Sequence, residues 1–319
     1  MWLCSRTWAR FVKRERIPPA SGSLSQTPGT WHAPISTPPS SFLRTSRHSI
    51  DIPYRGRRPQ EGRENMPYGR LRYFDTFRNV PPRDEPSIHW LDAYGRPHEV
   101  RASADALRTP LELAVPCRRG PKYRGQPSSF GHYIFAQTGQ WLWFESETEA
   151  AALRLLDHVA SISSIATQPF CLVHPDGVRH VPDFFALATD GTRIVVDVRP
   201  EALRDDTAAE QFQRTREVCF RIGWLYNVMS GESESIPAQN VRRLSEYRGP
   251  DYRPSADVRE VVRQTLTVKP SLTWAKFFEH VGGSVSEYEL FALMWSRDVG
   301  YTFGATIGPE TRLWWVSKA

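Results

Sequence analysis

The pattern of apolar and polar positions is readable from about residue 140 onward. Ala152, Leu153, Leu155, Leu156 and Val159 recur at helical spacing, which predicts a helix over Glu145–Val159 with Glu145 and Glu149 one turn apart. An apolar run predicts a strand over Ile165–Val173, closed by the turn sequence His174-Pro175-Asp176-Gly177. A second strand is expected over Val178–Ala188 and a third over Thr192–Arg199. The third is rich in β-branched residues and so suited to the middle of a sheet. Apolar positions at Ala208, Phe212, Cys219 and Ile222 predict a helix over Asp206–Ile222, stopped by Gly223, with a fourth strand over Trp224–Met229. The order is helix, three-strand meander, helix, strand.

The flanks read differently. Ile88–Leu91 and His98–Arg101, joined by Asp92-Ala93-Tyr94-Gly95-Arg96, predict a short hairpin within a mixed segment, 66–139. After the expected core at 140–231, residues 232–255 read as a linker with some helix near Gln239–Tyr247. Residues 256–319 then show helices over Ala256–Leu266, Leu272–Val281 and Ser286–Asp298. Ser284-Val285-Ser286-Glu287 offers a capping box for the last of these. Strands over Tyr301–Ile307 and Thr311–Val316 follow around Gly308-Pro309, a winged-helix-like α+β pattern. Trp295, Trp314 and Trp315 read as core groups rather than base-stacking ones.

Charge changes the picture only once it is located. The chain of 319 residues carries a formal +6. Residues 1–65 hold 11 basic and 4 acidic residues, against 30 and 31 in the remainder. That first segment also holds 8 of the 26 prolines and shows no period of 2 or 3.6, so it reads as a basic, disordered tail. Three accounts of it stand side by side: a phosphate-binding arm around Arg55, Arg57 and Arg58, an organelle presequence at Met1–Arg16, or an extension ahead of a start at Met66. No run approaches the ~18 apolar residues of a membrane span. Cys4, Cys117, Cys171 and Cys219 form no CxxC pair, which speaks against a disulfide framework or a structural zinc site. His158, His174 and His180 lack metal-ligand spacing and read as surface or strand residues. No P-loop, GxSxG or GxGxxG occurs, so NTPase, serine hydrolase and dinucleotide chemistry are unsupported, as is any small-molecule substrate.

The acids carry the candidate chemistry. Asp183 and Asp197 lie among apolar strand residues, where a carboxylate is costly unless compensated, and Mg²⁺ is a hard cation suited to such oxygens. A three-residue loop Thr189-Asp190-Gly191, with the glycine left-handed, sets position 183 opposite 197. A two-residue loop would put the two acids on opposite faces. The three-residue loop is the expectation. Pro116–Gly125 is a basic loop whose Arg118, Arg119, Lys122 and Arg124 are candidates for contacting DNA phosphates.

The αβββαβ order with these acids resembles the PD-(D/E)xK, restriction-endonuclease-like nucleases. More narrowly, residues 115–230 resemble the TnsA-type endonuclease subunit of heteromeric transposases. The resemblance rests on Trp143-Phe144-Glu145-Ser146-Glu147-Thr148-Glu149, Ala166-Thr167-Gln168-Pro169-Phe170, Val181-Pro182-Asp183-Phe184-Phe185 and Val195-Val196-Asp197-Val198-Arg199-Pro200. It implies an α/β fold with a mixed sheet and a Mg²⁺-dependent (or Mn²⁺-dependent) cut at transposon ends. It also implies Glu149, Asp183 and Asp197 as metal ligands, with Asp183 bridging and Glu145 as an alternative or outer group. Arg199 stands where the family has lysine, and a guanidinium stabilises phosphate charge but accepts no proton. The implied partners are transposon-end DNA, a DDE-type transposase subunit and an AAA+ regulator, in a bacterial cytoplasm near the nucleoid. Two alternatives remain: a non-catalytic DNA- or partner-binding subunit on a decayed nuclease fold, and a stand-alone defence nuclease.

Overall fold

The computed structural model describes residues 74–120 and 130–317. The expected tail at 1–65, Lys122 and Arg124 lie outside them. β1 (Phe74–Asp75) precedes the predicted hairpin, β2 (Ser87–Leu91) and β3 (Pro97–Arg101), whose strands pair antiparallel. Its turn is held by Asp92, whose Oδ1 accepts the Tyr94 and Arg96 N–H groups at 2.9 Å each. The short strand β4 (Arg118–Arg119) returns to pair with β1. A second hairpin, β5 (Gly131–Phe135) and β6 (Gln140–Phe144), leads into helix α1 (Glu147–Val159). That helix starts two residues later than the periodicity suggested. The reason is local: Ser146 is its N-cap, accepting the Glu149 N–H at 3.1 Å, which leaves Glu145 outside it.

Each of the first two long strands expected in the core is broken in two. The run over 165–173 divides into β7 (Ile162–Thr167) and β8 (Phe170–Val173), and that over 178–188 into β9 (Arg179–His180) and β10 (Phe184–Ala188). Both breaks fall at a proline, Pro169 and Pro182, which has no N–H to give a ladder. Gln168 adds a left-handed φ of 45° that redirects the chain. The halves join different sheets. β8 and β9 extend the first hairpin in the order β3-β2-β8-β9. β7 and β10 join β11 (Arg193–Val198) and, across helix α2 (Asp206–Ile222), the strand β12 (Leu225–Met229), in the order β12-β11-β10-β7. The two sheets therefore meet at a corner formed by residues 168–169 and 181–183.

The central sheet is mixed. β7, β10 and β11 run antiparallel, and β11 and β12 are parallel, as a helical crossover requires. Strand β11 is indeed interior, with Ile194 to Asp197 all buried. Alternation sends its two faces into two cores. Phe184, Ala186, Ile194 and Val196 pack with Leu153 and Leu156 of α1, whereas Phe185 and Val195 pack with Val218, Cys219 and Ile222 of α2. Phe184 and Phe185 are both fully buried, and truncating either to Ala removes about 3–5 kcal/mol. Helix α2 has the predicted limits: Asp205 caps it, and Gly223 ends it at φ 93°.

Four further helices follow: α3 (Ile236–Ser245), α4 (Ala256–Val268), then, after β13 (Leu272–Thr273), α5 (Trp274–Val281) and α6 (Glu287–Trp295). β14 (Val299–Tyr301) and β15 (Arg312–Trp315) complete a three-stranded sheet in the order β13-β15-β14. The capping box on α6 is Ser286 with Glu289, placed later than the Ser284–Glu287 expectation. Val241 and Leu244 of α3 belong to the C-terminal core, so the stretch read as a linker is packed structure in its middle. Trp295 is buried and Trp314 and Trp315 half-buried. The indole of Trp314 lies over Gly300, where a Cβ would collide with its Nε1. No helix among the described residues is long and apolar enough to cross a membrane.

Candidate functional site

The corner between the sheets is where the predicted acids converge. The loop prediction holds: Ala188 N–H donates to Thr192 O at 2.8 Å and Gly191 sits at φ 85°, closing a three-residue turn. The ladder pairs Phe184 with Val196, so position 183 falls opposite 197. Asp183 itself lies one residue beyond β10, where its Oδ2 accepts the Val198 N–H at 2.7 Å. The side chain thus takes over the last rung of the sheet from the backbone, Pro182 having ended the strand. Burial pushes the Asp183 carboxyl well above the ordinary carboxylate range, the charge of Glu149 adds to this, and that of Asp197 adds less.

Glu149 reaches the same corner from the first turn of α1. Its Oε2 accepts the Glu145 N–H at 2.8 Å and its Oε1 the Ser146 hydroxyl at 2.9 Å. A carboxylate at a helix N-terminus is favoured by the macrodipole, so part of this placement is ordinary capping. Burial nevertheless raises the Glu149 carboxyl, with the Glu145 charge adding to it, against the lowering by its hydrogen bonds and by Arg118. Two carboxyl groups raised above their usual range in one place form a site that resists a second negative charge.

Asp197, expected in the same ligand set, belongs to a different network. It is 3% exposed, and its Oδ1 and Oδ2 lie 3.0 and 2.8 Å from His180 Nε2. Oδ2 also accepts the Tyr226 hydroxyl, and Gln211 Nε2 bonds the far side of the ring at His180 Nδ1. Burial and the neighbouring Asp197 charge raise the Tyr226 phenol, which keeps it protonated and a donor. Of the histidines read as surface or strand groups, His180 does lie on a strand, β9; all three are buried, and His180 holds the very acid the motif singles out. His158 likewise lies inside, stacked on Trp295 at 5.2 Å with its Nε2 3.2 Å from the Tyr301 hydroxyl.

The basic residues separate by burial. Arg118 is half-buried, lies 3.9 Å from Glu145, and lowers the carboxyls of both Glu149 and Asp183. Arg119, expected at a DNA phosphate, is 4% exposed with its guanidinium over the Trp143 ring at 4.1 Å, out of reach of a phosphate backbone. Glu145 accepts the Gly120 N–H and so ties the basic loop to the residue just ahead of the helix carrying Glu149. Arg199 is exposed, and its Nε donates to Leu203 O at 2.9 Å.

A hard divalent cation fits the chemistry of the Glu149–Asp183 pair, since it prefers carboxylate oxygen and removes their mutual repulsion. The trio does not gather: among the described residues no group of three or more His, Cys, Asp or Glu side chains is placed to hold a metal ion. No protein-family model matches the chain, and no curated protein matches it. Two residues at this corner, Gln211 and Tyr226, escape the sequence reading, and Gln168 and His180 appear in it without a role beside the acids. Pro169 and Pro182 were the available signal for the corner itself; nothing in the local sequence marks Tyr226 or Gln211 as partners of His180 and Asp197.

Proposed function

We propose that the chain is a metal-dependent DNA endonuclease subunit of the TnsA type, built on a restriction-endonuclease-like core with a winged-helix-like C-terminal region. The observation that carries this reading is the convergence of Asp183 and Glu149 at one corner of the central sheet, where the Arg118 charge lowers both carboxyls. The element order α1, β7, β10, β11, α2, β12 supports it. Mg²⁺ or Mn²⁺, when bound, polarises a phosphodiester and lowers the pKa of a bound water. The chain's own contribution is positional. Glu149 and Asp183 hold the cation, Val198 N–H orients the Asp183 carboxylate, and Glu145 keeps Arg118 and Gly120 beside the site. Arg199, permanently charged and exposed, stabilises the phosphate without serving as a base. A transposase subunit and an AAA+ regulator are the partners this reading calls for, with transposon-end DNA as substrate.

A second reading, a DNA- or partner-binding subunit without catalysis, is favoured by one observation: Asp197 is occupied by His180 and Tyr226. A Mg²⁺-dependent nicking assay on transposon-end DNA, with the transposase partner present, separates the two. The endonuclease reading expects cutting by wild type and none by Asp183→Ala in a complex that still assembles. Intact DNA with both proteins leaves the binding-subunit reading standing.

A further inference from the structure

Gln168 combines three features that ordinary packing does not explain. Its backbone is left-handed at φ 45°, a region that suits glycine, and a residue preceding proline is normally held in the extended region. Its side chain is 2% exposed, and its Oε1 is buried without a hydrogen-bond partner. A buried amide oxygen left unpaired is costly, and such costs persist where function holds them in place.

Its position gives these features a meaning. The β7–β10 ladder pairs Thr167 with Phe184, and one step further Gln168 N–H donates to Asp183 O at 2.8 Å. Gln168 is therefore the direct cross-strand neighbour of Asp183, on the side away from Asp197. Its own carbonyl accepts the Cys117 N–H at 3.0 Å, which fixes it beside the strand carrying Arg118. Asp197, on the other side of Asp183, has both oxygens engaged by His180, one of them also by Tyr226.

We propose that the side-chain amide of Gln168 supplies the third protein oxygen for a divalent cation held by Glu149 and Asp183, the place the motif assigns to Asp197. This rests on the cation reading of the Glu149–Asp183 pair. A neutral amide oxygen is an ordinary ligand for Mg²⁺ or Mn²⁺ and adds no further negative charge to a site where two carboxylates already repel. Asp197 then acts as a positioning residue, anchoring β11 to β12 and to His180.

The test measures Mn²⁺ binding to the full-length chain by electron paramagnetic resonance, alongside thermal unfolding without metal. The variants are Gln168→Gly, Gln168→Ala and Asp183→Asn. Glycine accepts the left-handed backbone without strain, so Gln168→Gly is expected to unfold at the wild-type temperature or above it. Its Mn²⁺ affinity, and that of Gln168→Ala, should fall by about tenfold or more, and Asp183→Asn should bind no ion. Wild-type affinity in Gln168→Gly overturns the proposal. A Gln168→Gly protein that loses stability together with affinity also overturns it, since the amide is then structural. Absence of Mn²⁺ binding by wild type overturns the cation reading itself and this inference with it; a wild type that binds while Gln168→Gly binds equally well overturns the inference alone.

Discussion

Gly231 sets how closely the helix of Glu149 approaches the strand of Asp197, and replacing it offers a quantitative check on the corner. It follows β12 at φ 61°, and a Cβ there would meet Thr148 O and Val198 Cγ1 at 2.6 Å each and Thr148 Cβ at 2.9 Å. Thr148 adjoins Glu149, and the Val198 N–H is the one that Asp183 holds. Alanine at 231 carries the left-handed cost of about 1–2 kcal/mol. Overpacking against a backbone oxygen and a β-branched side chain adds about 1–3 kcal/mol. The sum is about 2–5 kcal/mol. Gly191 is the control: its φ of 85° is similar, but a Cβ there meets nothing within 4 Å, so Gly191→Ala carries only the conformational part. Urea unfolding of both variants isolates the close approach as their difference, expected at about 1–3 kcal/mol. Equal destabilisation of the two, within about 0.5 kcal/mol, would refute the packing argument.

Three further outcomes follow from the same geometry. Asp183→Asn and Asp197→Ala should shift metal-free stability at pH 7 in opposite directions: the first relieves a carboxylate the fold opposes, and the second leaves His180 and Tyr226 without their partner at about 3–5 kcal/mol. Shifts of the same sign in chemical unfolding would contradict the division of the two acids. Burial holds the His158 imidazole down to about 3, so it stays neutral in the fold while the unfolded chain takes up a proton below its ordinary value of 6.5. Stability should therefore fall by about 2 kcal/mol between pH 6.5 and pH 5, and a His158→Gln variant should lose that slope in paired titrations. Arg119→Ala should lower the unfolding temperature through the lost Trp143 stack, worth about 0.5–2 kcal/mol, and leave Mn²⁺-independent DNA binding measured by fluorescence anisotropy unchanged, whereas Arg118→Ala should weaken that binding. Weakened binding in Arg119→Ala with none in Arg118→Ala would place the DNA-contacting cation at 119 instead.

Much of the fold was legible because short-range rules decided it. Gly191 and Gly223 sit where a left-handed residue was required, and both the register of β10 against β11 and the limits of α2 followed from them. The corner was misread because apolar content ran straight through Pro169 and Pro182; periodicity reports which faces are buried, and two strand halves buried in different sheets look like one. The site was legible only as a set of acids. Register correctly set Asp183 opposite Asp197, but a cross-strand pair shares a partner only if both side chains follow the pleat. Asp183 departs from it by capping Val198, beyond the end of its strand. The network on Asp197 comes from β9, α2 and β12, and contacts over 17 to 31 residues of separation leave no local pattern.

The claim at the centre of this account is that Glu149 and Asp183 together hold a divalent cation. Anomalous diffraction from crystals of the chain soaked in Mn²⁺ tests it most directly. The account predicts a peak within coordination distance of both carboxylates, with Asp197 still bonded to His180 and Tyr226. A peak ligated by Asp197 with His180 displaced, or no peak at this corner at saturating Mn²⁺, would contradict it.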